Sequence, residues 1–202
     1  KSNLLRIILN ELKARKWETV LIDSKNEYIN EAKEGNVKYA SSVEGLYEVC
    51  KELIDIMKFR KESQDVLEPM FILIDEVKAF YQWLNSKSAK EKNIDTFMYS
   101  LMEKGRKYNI YFVVTTGFKR AYGEFVEPVS GMNALIQNGH EQGIFLGKNI
   151  SDESFWLNKG KGFPISILRK VGIPYGMGVG ILVENSDLIS ENIIKIPIVK
   201  PT

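Results

Sequence analysis

The stretch Met70-Phe71-Ile72-Leu73-Ile74-Asp75-Glu76 constrains this chain more than any other. Five apolar residues run without a polar break, behind Pro69 and directly ahead of two carboxylates. A run so short and so uniformly apolar predicts a strand covered on both faces, as strands of parallel sheets are. Adjacent acids make poor core residues, because an unpaired buried charge is strongly disfavoured. At the carboxyl end of a parallel strand they lie instead along the crevice where open α/β sheets bind ligands. A buried strand closing in a solvated Asp-Glu turn is the plainer reading of the same residues.

The rest of the chain supplies the alternation that such a strand needs. Leu4, Leu5, Ile8, Leu9 and Leu12 recur at helical spacing and predict an amphipathic helix over 3–16. Val20-Leu21-Ile22 predicts a short buried strand closed by Asp23-Ser24-Lys25, and 26–40 a polar loop with one helical turn. Ser41 with Glu44 has the form of a capping box, followed by a helix to about Arg60 with Val43, Leu46, Cys50, Leu53 and Met57 on one face. After the strand at 70–74, the aromatic segment Phe80-Tyr81-Gln82-Trp83 fits a helix packed on a sheet better than a partner-binding patch, and 85–93 reads as an exposed loop. Ile94, Phe97, Met98, Leu101 and Met102 mark a further helix ending near Gly105. Ile110 to Val114 is a buried strand ending in Thr115-Thr116-Gly117. Beyond it, Met132–Ile136 fits a helical turn, 143–146 a strand, and Ser151 a helix cap; 178–183 and 193–199 fit strands near a sheet edge, the last because Pro197 removes a ladder donor. Alternating strands and helices predict an open, mostly parallel sheet with helices on both faces.

Composition narrows the function classes. Lys and Arg total 28 against 26 acids, a net charge of +2 that gives no footing for a nucleic-acid surface. The single cysteine, Cys50, rules out an intrachain disulfide, fits a reducing compartment, and reads as a core thiol on its helix's apolar stripe. No apolar run approaches the ~18–20 residues of a membrane span. The lone histidine, His140, between Gly139 and Glu141, reads as a loop residue, and Lys159-Gly-Lys161-Gly as a loop or hairpin. The chain opens with Lys1 directly in a helical pattern and is expected to be part of a longer multidomain protein, with 1–202 forming one domain.

Three buried runs end in polar groups: Asp23, then Asp75 with Glu76, then Thr115 with Thr116. In a parallel sheet these ends share one edge. Asp75-Glu76 then has the form of a Walker B element, one carboxylate for Mg²⁺ and one to polarise a water. Lys1-Ser2, directly ahead of the first helix, fits the last two letters of a phosphate-binding loop, with lysine on the phosphates and the hydroxyl on Mg²⁺.

The ordered segments Lys-Ser-Asn-Leu-Leu-Arg (1–6), Val-Leu-Ile-Asp-Ser-Lys (20–25), Phe-Ile-Leu-Ile-Asp-Glu (71–76), Tyr-Asn-Ile-Tyr-Phe-Val-Val-Thr-Thr (108–116) and Gly-Ile-Phe-Leu-Gly-Lys-Asn (143–149), with Gly-Lys-Gly-Phe at 160–163, resemble an FtsK/SpoIIIE-type ATPase domain. They are most similar to the tandem ATPase domains of the type VII secretion coupling proteins EssC and EccC. The resemblance runs from residue 1 to about 185. It implies a three-layer, RecA-like P-loop NTPase fold, ATP with Mg²⁺ as cofactors, and a parent protein at the cytoplasmic face of the bacterial cell membrane. It implies secreted substrate proteins, sibling ATPase domains of the same chain and a ring oligomer as partners. Residue by residue, Lys1 and Ser2 match the end of Walker A, Asp75 and Glu76 match Walker B with Glu76 as general base, and Thr115 and Thr116 match the sensor strand. Ser2 and Asp75 are the implied magnesium ligands. Gly117 stands where many relatives carry Gln or Asn, and Arg106 and Arg120 are the arginine-finger candidates. Late domains of this family are often degenerate, so an ATPase that drives export and an ATPase-like module that only binds secretion substrates are both implied. A DNA translocase motor fits the charge balance less well.

Overall fold

The structure is a computed structural model that describes residues 2–35, 37–63, 67–115, 127–132 and 135, together with the strands at 142–146, 179–184 and 193–195. The chain divides into two compact units, one built chiefly from Lys1–Gly117 and the other chiefly from Ala134–Val199.

In the first unit, β1 (Glu18–Asp23), β2 (Lys38–Ala40), β3 (Met70–Asp75) and β4 (Ile110–Val114) form a wholly parallel sheet in the order β2-β1-β3-β4. This is the mixed α/β architecture expected. Period-two alternation sends Leu21, Phe71, Leu73 and Val113 to one face, where Leu5, Leu9 and Leu12 of α1 (Ser2–Ala14) close a core that also contains Tyr28 and Ala32. Val20, Ile22, Ile72 and Ile74, on the opposite face, are also buried. With both faces covered, the sequence of β3 needs no polar alternation. Trp17, Phe71 and Tyr111 stack across the α1 face, with ring centroids 5.6 and 5.5 Å apart.

The helix α3 (Val43–Glu62) packs on β2 and against α6 (Ile94–Lys104). Its cap is Ser42, one residue after the expected Ser41. Ser42 adopts the extended backbone a cap requires, and its Oγ accepts the Gly45 N–H at 3.1 Å. Two further departures come from short elements. The polar stretch 26–40 contains α2 (Ile29–Glu34) and β2, whose three residues are too few to show a period and are held by pairing with β1. The expected loop 85–93 contains α5 (Lys87–Glu91), started by Ser86 Oγ accepting the Ala89 N–H and anchored by the buried Ala89. The aromatic segment lies in α4 (Val77–Leu84), where Phe80 and Tyr81 are buried as core.

At the amino edge of the sheet, Arg60 closes the end of α3. Its guanidinium, in a side chain only 6% exposed, donates to the carbonyls of Glu68, Tyr108 and Asn109 and lies 3.5 Å from Glu18 Oε2.

The second unit contains β5 (Gln142–Leu146), β6 (Val179–Glu184) and β7 (Ile193–Lys195), an antiparallel sheet in that order. The strand expected at 178–183 is therefore the middle strand of its sheet and not an edge, because both neighbours pair with it. The readings at 132–136, at His140, at Ser151, at 159–162 and beyond Lys195 fall wholly or partly outside the described residues.

Cys50 is buried in the α3 core, and burial pushes its thiol from an ordinary 9.0 up to about 12. The unfolded chain therefore ionises this thiol first as pH rises. Its contribution to stability is intact below pH 9 and is lost between 9 and 12, with a slope of up to about 1.4 kcal/mol per pH unit. Denaturant titrations across that range are expected to show a shallower loss in Cys50→Ala than in the unsubstituted chain.

Candidate functional site at the carboxyl edge of the parallel sheet

The in-register pairing of β1, β3 and β4 places Asp23 beside Asp75 and sets Thr115 one residue past the last β3–β4 pair, Ile74 with Val114. Thr115 is the joint between the strands. Its N–H donates to Ile74 O at 2.9 Å, its Oγ1 donates to Asp75 Oδ1 at 2.7 Å, and Oγ1 in turn accepts the Glu76 N–H at 3.0 Å. Its carbonyl accepts the first N–H of α4, from Val77, at 2.9 Å. One residue thus holds the Asp75 carboxylate and the Glu76 backbone.

Glu76 pivots between β3 and α4 in the left-handed region, at φ 63° and ψ 84°. For a residue with a Cβ this backbone costs about 1–3 kcal/mol, and it survives only where surrounding contacts impose it. The Thr115 bonds are among the contacts that hold it here. Glu76 is 7% exposed and Asp75 3%, so both residues have little contact with water.

Asp23 has a different job. Its Oδ1 accepts the Lys25 N–H, and its Oδ2 accepts the Tyr28 N–H and the Tyr39 hydroxyl, all within 3.0 Å. A carboxylate so fully engaged folds the loop after β1 and has little capacity left for a ligand. The Tyr39 phenol is pushed upward, by burial first and by its bond to Asp23 second.

Opposite the strand ends lies the start of α1. Ser2 Oγ donates to Glu27 Oε2 at 3.2 Å. One turn on, Arg6 Nε bonds Glu31 Oε1 at 2.7 Å, Nη2 donates to Glu27 O at 3.2 Å, and the guanidinium lies 4.9 Å from the Tyr28 ring centre. The Tyr28 phenol is raised above its ordinary range by burial first. The hydrogen bond with the Ser2 side chain acts to lower it, Asp75 and Glu27 raise it further, and Arg6 lowers it. Tyr28 therefore marks the place where the start of α1 and the end of β3 meet. Its hydroxyl is buried beside the Ser2 side chain.

Ser2, Asp75, Glu76 and Thr115 are brought to one edge, while Lys1 and Thr116 lie outside the described residues, as do Gly117 and Arg120. Arg106 lies in the turn that enters β4, at the opposite edge of the sheet. Also at that edge is a cleft of about 630 Å³, lined by Lys13, Lys16, Trp17, Thr19, Val37 and Lys38. The Ser2 hydroxyl and the Asp75 carboxylate, both at this edge, are hard oxygen donors of the kind that suits Mg²⁺. Sequence reading passed over Tyr28, Glu27 and the Arg6–Glu31 pair, because a polar stretch with no period shows nothing of which side chains meet.

No protein-family model and no curated protein matches the chain. Solved structures do. The chain superposes on ATPases 2 and 3 of EccC from Thermomonospora curvata, solved with a signal sequence peptide, at a TM-score of 0.64 and 16% identity, covering 99% of this chain and 35% of that one. The cytoplasmic domain of the same type VII secretion ATPase gives 0.65 and 17%, covering 99% of this chain and 22% of that one. The conjugation coupling protein TcpA of pCW3, solved with ATPγS, gives 0.65 and 14%, covering 97% and 57%. The likeness expected from the sequence is present in the fold, that of RecA-like P-loop ATPases, and the chain spans about a third or less of the EccC structures.

Thr115→Val keeps the volume but removes the hydroxyl that bonds the Asp75 carboxylate and the Glu76 N–H. It is expected to cost about 2–4 kcal/mol in urea denaturation, with Thr115→Ser retaining most of the stability. At position 76, Gly is expected to be more stable than Ala by about 1 kcal/mol, since only Gly relieves the left-handed backbone.

Proposed function

We propose that this chain is an ATPase-type domain of a type VII secretion coupling protein, in which nucleotide-dependent rearrangement drives export of secreted substrate proteins. The observation that carries this reading is the gathering of Ser2, Asp75, Glu76 and Thr115 at one sheet edge facing the start of α1. The fold shared with EccC and TcpA supports it.

The reaction is phosphoryl transfer from ATP to water. Glu76 accepts a proton from, and orients, the attacking water, and Thr115 holds that carboxylate's backbone in place. Ser2 and Asp75 are the residues that would hold magnesium, which would offset charge on the phosphates. Lys1 supplies a fixed positive charge to the same phosphates, and Thr116 is assigned to the sensor position beside Thr115. Sibling domains of the same chain and further copies in a ring are the assembly partners, and the parent protein acts at the cytoplasmic face of the cell membrane.

A second reading rests on Ser2. Its hydroxyl already donates to Glu27, as expected of a domain that keeps the fold, has lost turnover and recognises secretion substrates.

Glu76→Gln in the full-length chain separates these. Under the first reading hydrolysis falls by about 10²-fold or more, the scale of lost general-base catalysis, while calorimetry still finds Mg–ATP bound. Unchanged turnover removes Glu76 from the role. Absence of Mg–ATP binding in the unsubstituted chain, together with affinity for a secreted protein, establishes the second reading.

A further inference from the structure

The Ser2 hydroxyl donates to Glu27 Oε2 at 3.2 Å, and Glu27 lies in the loop between β1 and α2. That loop is pinned from two sides. Asp23 accepts the Lys25 N–H through Oδ1 and the Tyr28 N–H through Oδ2. Asn26 turns the chain in the left-handed region, at φ 60°, and its N–H reaches the Asp23 carbonyl at 3.3 Å. From α1, Arg6 Nη2 donates to the Glu27 carbonyl at 3.2 Å, while Nε of the same guanidinium bonds Glu31. The Glu27 backbone is thus held in place although the residue is exposed. A hydrogen bond between exposed groups replaces bonds to water and adds little to stability. What this one fixes is the direction of a hydroxyl.

We infer that Glu27 is a positioning residue for magnesium at this site: by holding the Ser2 hydrogen it presents the Ser2 oxygen to the cation that accompanies a bound nucleotide. A serine hydroxyl carries one hydrogen and two lone pairs. With the hydrogen given to Glu27, a further partner of Ser2 Oγ must meet a lone pair, and a lone pair is what a cation binds. An acceptor behind a metal ligand orients that ligand and makes its oxygen more basic. The carboxylate bonded to Ser2 is Glu27, while Asp75 Oδ1 accepts from Thr115. The two carboxylates therefore have separate tasks. This inference rests on the nucleotide-binding reading given above.

Calorimetric titration of ATPγS into the full-length chain, with Mg²⁺ and with EDTA, tests it in Glu27→Ala and Glu27→Gln. In Glu27→Ala the affinity with Mg²⁺ is expected to fall about tenfold or more, the scale of a lost partner behind a metal ligand. Affinity with EDTA is expected to stay level or rise, because the variant removes a negative charge from the loop beside the start of α1. Glu27→Gln keeps an oxygen that accepts the Ser2 hydrogen and is expected to lose less with Mg²⁺ than Glu27→Ala. Equal losses with Mg²⁺ and with EDTA mean that Glu27 supports the loop alone, and overturn the inference. Affinity with Mg²⁺ that is unchanged or higher in Glu27→Ala overturns it too, the gain marking a carboxylate that blocks the site. So does a loss in Glu27→Gln as large as in Glu27→Ala, which assigns the effect to charge. Each of these leaves the nucleotide-binding reading intact. An unsubstituted chain that binds no Mg–ATPγS sinks both.

Discussion

The geometry of the site depends on one hydroxyl. Thr115 Oγ1 donates to Asp75 and accepts from the Glu76 backbone, so a side chain from one strand fixes two consecutive residues of its neighbour. Without it the left-handed turn at Glu76 would lose one of the contacts that hold it. Parallel pairing makes the arrangement available, since in-register strands deliver their last residues to a common edge. The hydroxyl turns that common edge into a fixed arrangement.

What was readable in the sequence follows from what leaves a periodic trace. The α1 stripe, the three central strands and the placing of Asp75 and Glu76 at a strand end all appear as runs or spacings, because burial imposes them residue by residue. β2 and α5 leave no such trace. Each is too short for a period, and each is held by partners remote or irregular in sequence: the β1 pairing in one case, a serine cap and one buried alanine in the other. The shift of the α3 cap from Ser41 to Ser42 is a choice between adjacent equivalent letters that only backbone angle settles.

The site shows the same division. Asp75, Glu76 and Thr115 stand out because polar letters end apolar runs. Tyr28 does not, because a tyrosine in a mixed stretch has no neighbour in sequence that declares its contacts. Its significance is set by Asp23 five residues before it and by Arg6 twenty-two residues before it. The three strand-end acids also look alike as letters and differ in fact. Asp23 is saturated by two backbone N–H groups and a phenol, whereas Thr115 bonds the Asp75 carboxylate and the Glu76 backbone.

The pairing of Arg6 with Glu31 and with the Glu27 carbonyl has a mechanical consequence. These bonds tie the first turns of α1 to the segment that runs into α2, and α2 in turn packs on the outer strand β2. A tug at the front of α1 is therefore not absorbed locally. It also loads the turn that leads into α2 and, through α2, the strand β2 that α2 touches.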